Sequence, residues 1–406
     1  MNRQPFTIHV SDDVLDDLRT RLARTRWPDQ VEGAGWDYGV NLDYIRSLTD
    51  YWLNGFDWRA QEARLNDFAH FRTAIDGTTI HYIHERGRGP NPQPLLLLHG
   101  WPSTFDLYHK LIPLLTDPAR FGGDPANAFD VVVPSLTGFG FSDRPTRRGG
   151  NRDAELLPNL MQQVLGYDDF GVHAGDTGGS VAQAMAMARP DALCGLHLTD
   201  IGWNESVDSR TPGLTPAQRA YYESLDRWMF NEGAYISLQG TKPQNLAYGL
   251  NDSPVALAAW IIDQFRKLSD CQGDIERSFS RDELLTNVTL YWVTETINSS
   301  MRWYYDGLHA DWGAAEGGSE WSAGGTENEA ETGGWGAPSP VPVGMALFPA
   351  KNPPPREVAE RYLNIVHWSE LPRGGHFAAL EVPELLAADL CSFFGSLLCS
   401  FFGSLP

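Results

Sequence analysis

The chain reads as an α/β protein: a doubly wound, mostly parallel sheet, preceded by a helical extension and interrupted by a helical insert. Three patterns predict this. Short apolar runs at 79–84, 94–98, 131–134, 170–173 and 195–198 alternate with stretches of helical periodicity, which is how parallel strands covered on both faces are written. Three of these runs open directly into loops rich in Gly or Pro: HGWP at 99–102, SLTGFGFSD at 135–143 and AGDTGG at 174–179. From about residue 204 to 296 the pattern turns mostly helical with scattered aromatics, and strand-like residues return only at 341–347.

The first element is an amphipathic helix over 11–25. Ser11 stands at its N-cap, Asp12 and Asp13 suit the positive end of its dipole, and Val14, Leu15, Leu18 and Leu22 share one face. Pro28 ends it, and a second helix covers 42–53. Residues 1–70 therefore form a helical extension, 71–205 the first part of the sheet core, 206–340 a helical lid, and 341–396 the second part of the core. Within the lid, 311–340 is rich in Gly, Ser and Glu without periodicity, which predicts a flexible surface loop. The octapeptide LCSFFGSL occurs at 390–397 and again at 398–405. Such a repeat is too short for a solenoid unit, so 397–406 is expected to be an unstructured tail beyond the last core helix.

Bulk properties exclude several classes. The 406 residues are 42% hydrophobic and include 14 Trp, 14 Tyr and 19 Phe, enough for a sizeable core. A formal net charge of -21 repels polyanions, which argues against nucleic acid or an anionic membrane as partner. Cys194, Cys271, Cys391 and Cys399 show no C-x-x-C spacing, so reduced thiols in a cytoplasmic protein are expected. The segment MNRQPFTIHV lacks a signal peptide's apolar stretch, and no run approaches a membrane span.

Asp176 is the first candidate for chemistry. It lies between an apolar run and a helix, with Ala174, Gly175, Gly178 and Gly179 around it. A strained strand-to-helix turn that presents a nucleophile needs such small neighbours, because the two backbones approach closely. A carboxylate there attacks saturated carbon bearing a leaving group and forms an alkyl ester, which suits epoxides or alkyl halides rather than peptides. The simpler alternative is an Asp stabilising a helix N-terminus. Two further motifs in order favour chemistry. HGWP, after an early strand, supplies the Trp101 amide, which joins the Thr177 amide as an oxyanion hole, and His376 lies late in the chain on a Gly-flanked loop, where a base belongs.

With these residues in place, the chain resembles the microsomal-type epoxide hydrolases and their soluble bacterial relatives, enzymes of the α/β-hydrolase fold. The resemblance rests on HGWP, PSLTGFGFSD, GDTGG and RGGHFAALEVPELLAADL in the core. It extends to FTIHVSDDVLDDLRTRLARTRWPD in the extension and to EGAYISLQGTKP, LNDSPVALAAW and SSMRWYYDG in the lid. It covers residues 6–390, leaving out 311–340 and the repeat. It implies Asp176 as nucleophile, His376 as the base that activates water, and Tyr235 and Tyr304 as two phenols that donate to the epoxide oxygen. On a helix the neighbouring Tyr305 points about 100° away from Tyr304. In one position the family pattern fails: the acid that orients the His should follow Phe348-Pro349, and Ala350-Lys351 stands there. Asp200 is the first substitute and Glu357 the second.

The resemblance further implies a small-molecule epoxide and water as the reactants, with no cofactor and no metal, and a homodimer is one possible assembly. Trp228, Trp260 and Trp292 in the lid suit a bulky or aryl epoxide, and a biosynthetic substrate of a natural-product pathway fits the bacterial relatives. Two rivals stand beside this. A haloalkane dehalogenase shares the aspartyl ester but needs halide donors, often a Trp directly after the nucleophile, where this chain has Thr177. A catalytically silent binding protein on the same scaffold would be consistent with Lys351.

Overall fold

The computed structural model describes residues 3–202, 208–309 and 339–402. The loop expected at 311–340 lies, except for its last two residues, outside them. Nine strands form one sheet: β1 (Gln4–Phe6), β2 (His70–Ile75), β3 (Thr78–Glu85), β4 (Gln93–Leu98), β5 (Phe129–Pro134), β6 (Phe170–Ala174), β7 (Leu193–Leu198), β8 (Val343–Leu347) and β9 (Ile365–Glu370), in the order β1-β2-β3-β5-β4-β6-β7-β8-β9. The first three strands are antiparallel, and from β5 onward every neighbouring pair is parallel. The mostly parallel sheet is as expected.

The strand order positions the site. β5 and β6 flank β4 on opposite sides, so the loops leaving the carboxyl ends of β4 and β6 diverge around a crevice, where α/β sheets hold their ligands. Leu95 to Leu98, Val131 to Val133 and Val172 are completely buried, which explains why these strands read as unbroken apolar runs.

The extension is not purely helical. Its helices Asp12–Ala23, Leu42–Asn54 and Trp58–Leu65 are preceded by β1, which pairs with β2 at the sheet edge. Leu15, Leu18 and Leu22 are buried as expected, whereas Val14 is exposed. On a helix Val14 sits 100° from Leu15, at the rim of the stripe. Ser11 occupies the N-cap position, though its side chain makes no capping hydrogen bond.

Between β7 and β8 the helices Pro216–Glu232, Ala234–Thr241, Pro243–Leu250, Pro254–Leu268, Arg281–Thr294 and Ile297–Leu308 form the lid. Capping boxes at Thr215/Gln218 and Ser280/Glu283 fix the starts of the first and fifth. No helix among the described residues is long and apolar enough to cross a membrane.

The terminal repeat requires a correction. The last helix runs Pro383–Phe402, through the first octapeptide and into the second. Leu390, Phe393 and Phe394 are buried, and Leu397 packs beside them. Phe394 fills the space beside Gly171 of β6, and Phe393 lies against Gly195 of β7 and Gly344 of β8. Spacings of three, four and seven residues place these side chains on one face, so the first copy belongs to the core. Burying each of Leu390, Phe393 and Phe394 contributes about 1.5–3 kcal/mol.

Candidate active site

Five of the six parallel strands each deliver one candidate group at the carboxyl end: Trp101 after β4, Asp176 after β6, Asp200 after β7, Lys351 after β8 and His376 after β9. Five residues spread over 276 positions of sequence are thereby gathered along one edge.

Asp176 sits in the left-handed region with φ 55°, a conformation that costs a non-glycine residue energy and persists where the surroundings over-determine it. Those surroundings are the glycines. A Cβ on Gly178 would lie 2.5 Å from the Leu98 carbonyl oxygen, and one on Gly100 would lie 2.4 Å from Asp176 Oδ1. Only bare backbone allows the HGWP loop and the turn this close. The Trp101 amide donates to Asp176 Oδ1 at 2.8 Å, the Thr177 amide at 2.7 Å and the Thr177 hydroxyl at 3.0 Å. The predicted oxyanion-hole donors therefore already converge on one carboxylate oxygen. Asn287 and Tyr291 of the lid donate to the carbonyls of Pro102 and Ser103 and hold the loop that carries Trp101.

Oδ2, the second oxygen, faces His376 Nε2 at 3.7 Å. The histidine loop is fixed by its own amide, which donates to the Leu268 carbonyl, and by Phe377, stacked on Phe265 of the lid at 4.0 Å. Burial, reinforced by the Lys351 cation, pushes the His376 imidazole down to about 4, against the weaker pull of Asp176 and Asp200. The ring is therefore neutral at pH 7, as a general base must be.

The orienting acid is where structure and expectation part. Glu357 is exposed, accepts from the Thr215 hydroxyl and forms no ion pair with His376. Asp200 does reach the site, but its Oδ2 accepts from the Asp176 amide at 2.8 Å and pairs with the Lys351 ammonium. Burial alone would raise Asp200, yet Lys351 and these hydrogen bonds hold it at about 2. Among the described residues, no carboxylate other than Asp176 comes within ion-pairing distance of the His376 ring.

Tyr235, in the first turn of Ala234–Thr241, and Tyr304, on Ile297–Leu308, meet above the same point. The Tyr235 ring stacks on Trp101 at 5.4 Å, Tyr304 meets Trp101 edge-on at 5.7 Å, and the two phenols lie 6.0 Å apart. Burial and the nearby Asp176 carboxylate raise both phenols above their ordinary value, so they remain protonated donors. Trp303 and Ser299 donate to the Thr137 and Gly138 carbonyls, clamping the Tyr304 helix to the loop after β5. Tyr305 instead stacks on His309. Of Trp228, Trp260 and Trp292 only Trp228 reaches this cluster, edge-on to Tyr235 at 6.3 Å; Trp260 donates to Gln239, and Trp292 lies beneath Arg21 of the extension.

Chemically, the arrangement offers a carboxylate with one oxygen fixed by three donors and one free to attack, two protonated phenols, and a neutral imidazole beside the attacking oxygen. Sequence reasoning missed the Asp200–Lys351 pair. Its only signal was an unexpected cation at the acid position.

Comparison with known proteins gives the family and the fold. Residues 3–106 match the family described as epoxide hydrolase N terminus, and 93–232 match the alpha/beta hydrolase fold. A protein of Stigmatella aurantiaca (strain DW4/3-1), named as a candidate epoxide hydrolase, is 39% identical over 97% of this chain and 85% of its own length. Epoxide hydrolase 1 of Oryctolagus cuniculus is 36% identical over 97% of this chain and 88% of its own. Among solved structures, Aspergillus niger epoxide hydrolase superposes with a TM-score of 0.80 at 27% identity, covering 98% of this chain and 97% of that one.

Proposed function

The chain belongs to the epoxide hydrolases of the α/β-hydrolase fold, and on that premise we propose that it converts a bulky or aryl epoxide to a vicinal diol through a covalent ester on Asp176. One observation carries the reading: Oδ1 rests on the Trp101 and Thr177 donors while Oδ2 is left toward His376. Oδ2 attacks a ring carbon, the carbon–oxygen bond of the epoxide breaks, and Tyr235 or Tyr304 gives its proton to the alkoxide. His376 Nε2 then takes a proton from water, and the hydroxide adds to the ester carbon while Oδ1 carries the negative charge in the oxyanion hole. The ester bond breaks and Oδ2 departs with the diol. The two protons of the water go to the departing alkoxide and back to the phenolate.

The aromatic enclosure formed by Trp101, Trp228, Tyr235 and Tyr304 favours a flat apolar substituent. Diol formation from a panel of aryl and alkyl epoxides, followed with intact-protein mass spectrometry, tests the reading. Asp176→Ala should form neither diol nor adduct. His376→Gln should gain the mass of one substrate. A His376→Gln protein that stays unmodified while wild type turns over would count against the ester.

A further inference from the structure

Asp200 is engaged on both oxygens. Oδ2 accepts the Asp176 amide at 2.8 Å and the Lys351 ammonium, while Oδ1 accepts the Gly202 amide at 3.0 Å. Lys351 also donates to the Thr199 hydroxyl at 3.2 Å. Both members of the pair are largely shielded, the lysine side chain 13% exposed and the aspartate 20%. Gly175 makes room for them under the turn, since a Cβ there would lie 2.3 Å from Thr199 Oγ1 and 3.2 Å from Asp200 Oδ2. The pair is thus built into the backbone that holds the nucleophile.

Among the described residues, no carboxylate gives His376 comparable support. A histidine base works best when a carboxylate fixes its tautomer and stabilises the imidazolium formed as water attacks. The carboxylate within reach of this sheet edge is Asp200, and Lys351 occupies it. We infer that Lys351 is a positioning residue that commits Asp200 to the nucleophile's backbone and withholds it from His376, so that its cation slows ester hydrolysis. The inference rests on the ester reading given above.

The surrounding charges act in the same direction. His376 faces Asp176 from the turn, Asp200 from the end of β7 and Lys351 from the end of β8, and the lysine cation opposes protonation of the ring. His173 lines the same small cavity behind Asp176, where burial keeps its ring neutral. Asp270 and Glu381 spend their oxygens on the backbone of the histidine loop, accepting the amides of Gly374 and Phe377. A base held at about 4 remains unprotonated to low pH but pulls weakly on a water proton.

Rapid-mixing kinetics with styrene oxide, read by intact mass, separates the two half-reactions in wild type, Lys351→Met, Lys351→Gln and Lys351→Arg. In wild type the acid limb of ester hydrolysis should lie no higher than about pH 4, because the esterified Asp176 no longer supports the imidazolium. Lys351→Met and Lys351→Gln should hydrolyse the ester about tenfold faster, with the limb moved toward the ordinary 6.5. Lys351→Arg, which keeps the cation, should behave as wild type. Gln retains a hydrogen bond to Asp200, so it reports on the charge if the Met variant folds poorly. The inference is overturned if removing the charge leaves hydrolysis and its pH limb unchanged or slower, or if Arg acts like Met. Should His376→Gln form no ester at all, the underlying reading fails; should it form while the Lys351 variants change nothing, only this inference does.

Discussion

Asp176 and His376 face each other at 3.7 Å, yet the protein holds them in opposite ways. The carboxylate receives three donors on one oxygen, and its own amide is fixed by Asp200. The imidazole is placed by its backbone and by the stacking of Phe377, with no carboxylate but Asp176 within ion-pairing distance among the described residues. One side of the site is over-determined and the other is positioned mainly by packing. On the mechanism proposed above, the difference teaches that a site can commit its buried charges to the covalent step and leave the hydrolytic step with a neutral base that no second carboxylate assists.

The tyrosines offer the largest test of this contrast. Tyr304→Phe and Tyr235→Phe each remove one donor to the developing alkoxide, and a single such donor is worth about 10²–10³ in rate. The loss should appear in single-turnover alkylation. It should be smaller in kcat until alkylation becomes slower than hydrolysis, at which point the ester no longer accumulates. Tyr305→Phe should leave both steps unchanged, since its ring lies on His309. Equal losses in alkylation and hydrolysis would show that the two halves of the site are not separable.

A smaller effect is expected from Gly100→Ala, which strikes the well-held side by shape alone. The added Cβ would meet Asp176 Oδ1 at 2.4 Å and drive it off its donors. A displacement of this order costs about 10²-fold. Both half-reactions use that oxygen, so both should slow, while the pH limb set by His376 should not move. Measured rates at wild-type level would mean that the convergence of Trp101 and Thr177 on Oδ1 contributes little.

The over-determined side was also the legible side. GDTGG and HGWP could be read because a tight turn needs glycines next to Asp176, and the Trp101 and Thr177 donors are backbone amides tied to fixed positions; His376 was read only from its late place on a Gly-flanked loop. Tyr235 and Tyr304 came from resemblance, since nothing in the local pattern of a lid helix distinguishes a donor phenol from packing. The Asp200–Lys351 pair was illegible because its partners are 151 residues apart and meet only after β7 and β8 align. From sequence, Lys351 read as a missing acid; in the fold it is a new partner. The terminal octapeptide misled for another reason. Its repetition drew attention from its periodicity, and the Leu390, Phe393, Phe394 spacing is that of a helix face.

The most direct test of the covalent account follows the oxygen of Asp176. A single turnover with enzyme in excess, run in water enriched in oxygen-18, separates attack by the carboxylate from attack by water. The account predicts an unlabelled diol, because its new oxygen is Oδ2, and one heavy oxygen in the Asp176 peptide, retained from the hydroxide that cleaved the ester. A diol carrying the label after that first turnover, with Asp176 unlabelled, would contradict it.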